Sequence, residues 1–175
     1  MGSACGACGG REGLENLVEG LRPVPDTLRL DADRFAQLFE AMRELQTVFD
    51  RTGGAHAAAV FDRHARIVAV AEDLGRHNAL DKVVGKCLLG RVDLAGCGVL
   101  LSSRLSLEMV TKAVRAGIEL VAAVSAPTSL AIEVGGRFGV TLCGFVRGGR
   151  ATVYSHPRRV GGIPAGQAPS LTSAR

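Results

Sequence analysis

The sequence predicts an α/β protein: a three-layer α/β/α domain on a mixed, mostly parallel sheet with an antiparallel hairpin at one side. Three observations lead there. Apolar segments of strand character alternate with amphipathic helical segments, an order that suits a mostly parallel sheet covered on both faces. Two apolar runs, Ala57–Phe61 and Ile67–Ala71, are separated only by Asp62-Arg63-His64-Ala65-Arg66, a hairpin spacing. The chain has 175 residues, 47% hydrophobic and 22% charged, which suffices for one core and is too apolar for a disordered chain.

The elements follow in order. Residues 1–12 are Gly-rich and polar and read as a loop, and Pro23 and Pro25 break residues 13–27 into turns or a short helix. Asp31 or Asp33 caps a helix to about Phe49, because Phe35, Leu38, Phe39, Met42, Leu45 and Phe49 make one stripe at helical spacing. Arg51-Thr52-Gly53-Gly54 ends it, and the hairpin follows. Gly75 stops the second strand, and Asn78 with Asp81 three residues later reads as a capping box. The next helix turns Ala79, Leu80, Val83, Val84, Cys87 and Leu88 inward. Val92–Leu101 is then a strand, Ser106–Ala116 a helix and Glu119–Val124 a strand. Pro127–Phe138 is a helix with proline in its first turn, and Val140–Val146 and Ala151–Ser155 are the last strands. Residues 161–175 show no period and read as a disordered tail. The domain reading is therefore a loop and connector over 1–30, the α/β body over 31–160 and the tail.

Composition narrows the function. With no Trp, one Tyr and six Phe, a stacking platform for single-stranded nucleic acid is not expected. The net charge is +4, unevenly spread: residues 134–175 hold six Arg and no acidic residue, whereas the first 133 residues carry a net −2. One localised anion-attracting face, or a solvated basic tail, accounts for this better than a nucleic-acid coat. The longest core-like uncharged run, Leu120–Ile132, has 13 residues, short of a membrane span, and the first residues lack the pattern of a signal peptide. The expectation is a cytoplasmic protein with neither membrane nor nucleic acid as partner. Five Cys, at 5, 8, 87, 97 and 143, make a poor disulfide framework.

Cys5-Gly6-Ala7-Cys8 is the sharpest chemical feature. A C-x-x-C pair can share a metal, exchange a disulfide or carry a sulfane sulfur, and a thiolate is the reactive species in each. A zinc site would need a second ligand pair at fitting spacing, and none is present. A thioredoxin-like site would follow a strand and open a helix, whereas here four residues precede Cys5 and Gly9-Gly10 follow Cys8. A pair on a glycine-rich loop suits sulfur delivery, and two unremarkable thiols near a chain end remain the plain alternative.

Four further segments are unusual for simple packing. Gly53 and Gly54 before His56 permit close backbone approach. Arg76, His77 and Asn78 stand at a helix N-terminus, where free N–H groups favour anions. Ser125, Thr128 and Ser129 lie at another strand-to-helix junction. Phe145-Val146-Arg147-Gly148-Gly149-Arg150 ends a strand where ligands of open α/β sheets bind, and two guanidinium groups beside glycine amides suit pyrophosphate. A capped turn, simple capping and a β-turn with two solvated arginines are the plain readings of the last three. Three segments lie at strand C-terminal ends and the glycine pair opens a strand.

These residues resemble the FdhD/NarQ family, the formate dehydrogenase accessory sulfurtransferases. The resemblance is carried by Cys5-Gly6-Ala7-Cys8-Gly9, Arg51–Ala58, Glu72-Asp73-Leu74-Gly75-Arg76-His77-Asn78-Ala79-Leu80-Asp81-Lys82, Glu108-Met109-Val110, Ser125–Ala131 and Phe145–Arg150, in family order. It implies a cytidine-deaminase-like fold. It also implies that sulfur is accepted from a cysteine desulfurase as a persulfide and passed to the Mo-bis(molybdopterin guanine dinucleotide) cofactor, which then enters formate dehydrogenase. On that resemblance Cys5 is the expected carrier with Cys8 as partner or relay. Phe145–Arg150 matches the guanine-dinucleotide segment, with Arg158 and Arg159 as helpers. GDP or GTP would then mimic part of the cofactor, and a homodimer is implied. A cofactor chaperone without sulfur transfer is the alternative. No zinc is expected, because His56 is followed by Ala57-Ala58 and no second C-x-x-C follows. The sequence departs from the family in starting at the Cys motif, where members carry a further domain ahead of it, and in Ser103-Arg104, where Gly-Arg is the family pattern.

Overall fold

The computed structural model describes residues 11–148 and 150–162. Its main sheet has six strands in the order β3-β2-β4-β5-β6-β7. They are β2 (His56–Phe61), β3 (Ile67–Asp73), β4 (Gly98–Leu101), β5 (Leu120–Ala123), β6 (Thr141–Arg147) and β7 (Arg150–Ser155). Strands β3 to β6 share one direction; β2 runs antiparallel to β3 and β4, and β7 antiparallel to β6. The hairpin and the alternation therefore stand as the sequence predicts.

Both faces of the sheet are covered, giving three layers. On one face α4 (Arg76–Leu89), α5 (Leu107–Arg115) and α6 (Ser129–Phe138) bury Leu80, Met109 and Val134 against Val60, Val99 and Val121. Leu14 and Val18 of α1 (Arg11–Val18) join that core. On the other face α2 (Arg34–Glu44) packs Phe35, Leu38 and Met42 against Ala59, Leu100 and Ala122. Central strands enclosed in this way are apolar without alternation, which is why Ala57–Phe61 reads as a solid apolar run.

Several boundaries differ from the sequence reading, each for a local reason. The expected helix to Phe49 is two helices, α2 and α3 (Thr47–Thr52). The chain turns at Gln46, and the Val48 and Phe49 amides donate to the carboxylate of Glu72, 2.8 Å away in both cases. A carboxylate distant in sequence thus supplies the N-terminal cap of α3. The box predicted at Asn78 and Asp81 is not formed. Helix α4 begins at Arg76 after Gly75, the Asn78 amide donates to Asp73 Oδ1 at 3.1 Å, and Asp81 pairs with Lys112 at 2.5 Å. Strand β4 is shorter than predicted because residues 93–97 form a turn, with the Ala95 amide on Asp93 Oδ1 at 3.0 Å. Pro127 stands before α6 rather than in it, bridging to Leu105, and Thr128 Oγ1 caps the helix by accepting from the Ala131 amide at 3.2 Å.

A second, two-stranded parallel sheet was not foreseen. It pairs β1 (Leu30–Asp31) with β8 (Val160–Gly161), after a 3-10 turn at Pro157–Arg159. Beneath it lies a buried polar knot. Glu119, just before β5, accepts from the Thr27, Leu28 and Gly96 amides and from Arg159 Nε.

Candidate functional site

The C-terminal ends of β3, β4, β5 and β6 lie along one edge of the sheet. Because β2 is antiparallel to them, it starts at that edge, with His56 opposite Asp73. The sequence segment that opens a strand therefore converges with the three that close strands. Gly53 ends α3 in the left-handed conformation, φ +66°, which a side chain would strain.

A cavity of about 550 Å³ opens at this edge, between α2–α3 and the sheet. Gly53, Gly54 and His56 line it, together with Val146 of β6. Its helical wall consists of Phe39, Met42, Gln46 and Phe49, and Ser102 and Val124 close its floor. Arg43 pairs with Asp50 at 2.5 Å and its guanidinium lies 4.9 Å from the Phe49 ring centre, which props that wall. Ser102 Oγ accepts from the Ala57 amide at 2.8 Å.

The Phe145–Arg150 segment sits beside this cavity. Phe145 is 50% exposed and has φ +53°, a strained conformation for a bulky residue. The ladder with β7 slips between Gly144 and Arg147, and the Phe145 amide donates to the Ser125 carbonyl at 3.2 Å. Gly144 makes that bond sterically feasible, since a Cβ there would stand 2.9 Å from Pro127 Cδ. Ser125 is thereby tied to the segment by its backbone. Arg147 and Arg150 face each other in the hairpin register, both exposed, with Gly148 turning between them at φ +53°. Ser129 is exposed at the start of α6, and Thr128 is engaged as the cap.

Arg76 and His77 stand at the same edge on the α4–α5 side. His77 Nε2 lies 3.4 Å from Ser106 Oγ at the start of α5. Burial, then the charges of Arg76 and Lys112, hold the imidazole below its ordinary pKa, so it is neutral at pH 7. Burial works against ionisation of Glu108, yet its bond to Ser106 and the nearby His77 and Arg76 hold it low. Arg76 Nε is buried without a hydrogen-bond partner among the described residues. Arg76, His77 and Asn78 share the edge but do not line the cavity.

Arg158 and Arg159 do not assist Arg147 and Arg150. Strand β7 returns antiparallel, so Ser155 is opposite Leu142 and the chain is back at the far edge by residue 156. There Arg158 pairs with Asp26 at 2.6 Å, and Arg159 is 1% exposed, bound to Asp26 and Glu119.

Cys5, Cys8 and Gly149 lie outside the described residues. The other three cysteines are buried thiols. Burial pushes Cys97 up to about 11 and raises Cys87 and Cys143 as well, so none is a thiolate at pH 7. Among the described residues no three His, Cys, Asp or Glu side chains gather to hold a metal, and no helix is long and apolar enough to cross a membrane.

Sequence reasoning missed Gln46 and Ser102 and assigned Phe39, Met42 and Phe49 to the core stripe. The stripe is real for Phe35, Leu38 and Met42; the break at Gln46 is what turns Phe49 to the cavity.

Comparison with known proteins bears on the fold and the family. The model of the FdhD/NarQ family matches residues 1–161. The sulfur carrier protein FdhD of Thermoplasma acidophilum is 45% identical over 160 residues, covering 91% of this chain and 56% of that protein. The protein of the same name from Anaeromyxobacter dehalogenans is 47% identical over 168 residues, covering 92% and 58%. The chain therefore spans little more than half the length of these relatives. A crystal structure described as "a putative formate dehydrogenase accessory protein" from Desulfotalea psychrophila superposes with a TM-score of 0.76 at 29% identity, covering 83% of this chain and 62% of that one.

Proposed function

Because the chain belongs to the FdhD/NarQ family, we propose that it is a sulfur carrier serving formate dehydrogenase. It takes sulfur from a cysteine desulfurase and passes it to the Mo-bis(molybdopterin guanine dinucleotide) cofactor as substrate. The observation that carries this reading is the family match over residues 1–161, which includes Cys5 and Cys8. The thiolate of one of these cysteines attacks the outer sulfur of the donor's persulfide. A new S–S bond forms on this chain, the donor's S–S bond breaks, and the donor leaves as a thiolate, with no net oxidation.

The cavity edge supplies the other half of the reading. Arg147 and Arg150 offer two planar donor forks to the pyrophosphates of the cofactor, beside the amide of Gly148. Phe145, held half-exposed in a strained conformation, offers an aromatic face to a planar ring. The apolar cavity next to it shields such a ring from water. A homodimer in the cytoplasm would present two such edges to the two guanine dinucleotide halves.

Incubation with a cysteine desulfurase and cysteine tests the reading by mass spectrometry. One added sulfur atom is expected on the intact chain, lost when Cys5→Ala and Cys8→Ala are combined. The absence of any persulfide on either cysteine, under conditions that load a full-length relative, overturns it. Formate dehydrogenase activity that survives loss of both cysteines but not of Arg147 and Arg150 would instead support a cofactor chaperone.

A further inference from the structure

We propose that the junction of α4 and α5 holds an anion subsite of its own, which takes a phosphate-class oxyanion on the Arg76 guanidinium and the first-turn amides of α4. This subsite uses neither Arg147 nor Arg150. It lies with α4 and α5 on one face of the sheet, whereas the cavity opens between α2–α3 and the other face. Arg76 Nε is buried and has no hydrogen-bond partner among the described residues. A donor on a cationic group is costly in that state, and an acceptor from a ligand removes the cost. The residue as a whole is only half-buried, so a ligand can approach it from solvent.

The start of α4 adds an independent observation. The helix has 14 residues and begins after Gly75 with no capping side chain and no acidic residue in its first turn. Its first-turn amides and its positive dipole end are therefore left for another acceptor. The carboxylate just ahead of it, Asp73, is engaged elsewhere: it accepts from the Gly75 amide at 2.9 Å and the Asn78 side chain at 3.1 Å, and it pairs with Lys82. His77 Nε2, 3.4 Å from Ser106 Oγ, joins this helix start to that of α5, which Ser106 precedes. Backbone amides, a guanidinium fork and a hydroxyl–imidazole pair are more donors than the two oxygens of a carboxylate can use, and they suit a tetrahedral oxyanion. Negative charge also stands nearby, on half-buried Glu108 and on Asp81, which is paired with Lys112. That favours a singly charged group, such as a phosphate diester, over a dianion.

NMR of the Arg76 Nε–H group tests this, with inorganic phosphate, acetate and GDP as probes. In the wild type the resonance should shift, and its exchange with water should slow, when phosphate is added; acetate should act more weakly. The shift should persist in the Arg147→Ala/Arg150→Ala variant, and adding Arg76→Gln to that variant should weaken phosphate about tenfold or more. A shift with GDP in the same variant assigns the site to a nucleotide phosphate, and a shift with inorganic phosphate alone assigns it to a free ion. The wild-type readout does not depend on the folding of any variant. A resonance that stays still at high phosphate overturns the subsite, while GDP affinity that depends on Arg147 and Arg150 leaves the cofactor reading standing. A shift that vanishes in the Arg147→Ala/Arg150→Ala variant also overturns it, because the two places are then one site. Equal responses to acetate and phosphate overturn the ligand class.

Discussion

Arg159 Nε stands 3.3 Å from Glu119 Oε2, with both side chains almost wholly removed from solvent. Neither ion is left short of partners. The guanidinium also donates to the Pro25 and Gly139 carbonyls, at 2.6 Å each, and to Thr141 Oγ1 at 3.1 Å. The pair connects the entry segment before β1 to the exit segment before β8. Removing Glu119 leaves the buried Arg159 with Asp26 as its one carboxylate and strips the Thr27, Leu28 and Gly96 amides of their acceptor. Glu119→Ala should therefore cost about 3–5 kcal/mol in urea unfolding, far more than loss of an exposed pair such as Arg137–Glu15. A loss below about 1 kcal/mol would show that the knot is not needed for the fold.

The same residue predicts a pH dependence. Burial opposes ionisation of Glu119, but the Leu28 and Thr27 donors outweigh it and hold its pKa below the ordinary 4.5. A carboxyl depressed on folding contributes stability that is fully present above 4.5 and is lost as pH falls through the folded value. Wild-type stability should drop over that acid range, and Glu119→Gln should flatten the drop. Equal slopes for the two would contradict the assignment.

Asp73 should titrate near 2. Its bonds to Lys82, the Gly75 amide and Asn78 lower it from 3.8 to about 2. Carboxyl NMR shifts recorded between pH 5 and 1 give the midpoint directly, and Asn78→Ala should raise it. A midpoint at the ordinary value in the wild type would mean that this turn before α4 is not formed in solution.

Glu72 should act as a positioning residue for the cavity wall. Helix α3 buries none of its own residues, and its first turn is held by the Glu72 carboxylate. Glu72→Ala should cost about 1 kcal/mol, the usual worth of a helix cap, and speed amide exchange at Val48 and Phe49. Glu72→Gln should restore part of the protection. Unchanged exchange at both amides would refute the role.

The arginines should separate in a salt titration. Arg147→Ala and Arg150→Ala should each weaken GDP and reduce the dependence of its affinity on ionic strength. Arg158→Ala should leave both untouched, because Arg158 faces Asp26 at the opposite edge. Equal effects from Arg150 and Arg158 would contradict the separation.

Much of this fold was legible because its signals are local. The alternation of apolar strands with helices, the short hairpin turn and the solid apolar run of β2 each follow from neighbouring residues. What escaped depends on partners far along the chain. Nothing near Thr47 announces that Glu72 will cap α3, so the stripe through Phe49 reads as one helix. Nothing near Arg158 or Arg159 shows that β7 will carry them away from Arg147 and Arg150, so one basic stretch reads as one face. Four of the site segments were legible as residue types out of keeping with packing. Their convergence was only partly legible, because the direction of β2 is a property of the sheet. Gln46 carried no signal, since a lone glutamine between two helical stretches is indistinguishable from a solvated one.

The pairing of Leu30 with Val160 has a consequence for how such a unit can be connected. The segment ahead of residue 30 is already part of the body, since α1 packs Leu14 and Val18 into the core on the opposite face. The outgoing chain is instead clamped against that incoming segment beside the Glu119–Arg159 knot, at the sheet edge remote from the cavity. A join made after residue 162 therefore leaves from the end of the molecule that the ligand edge does not use.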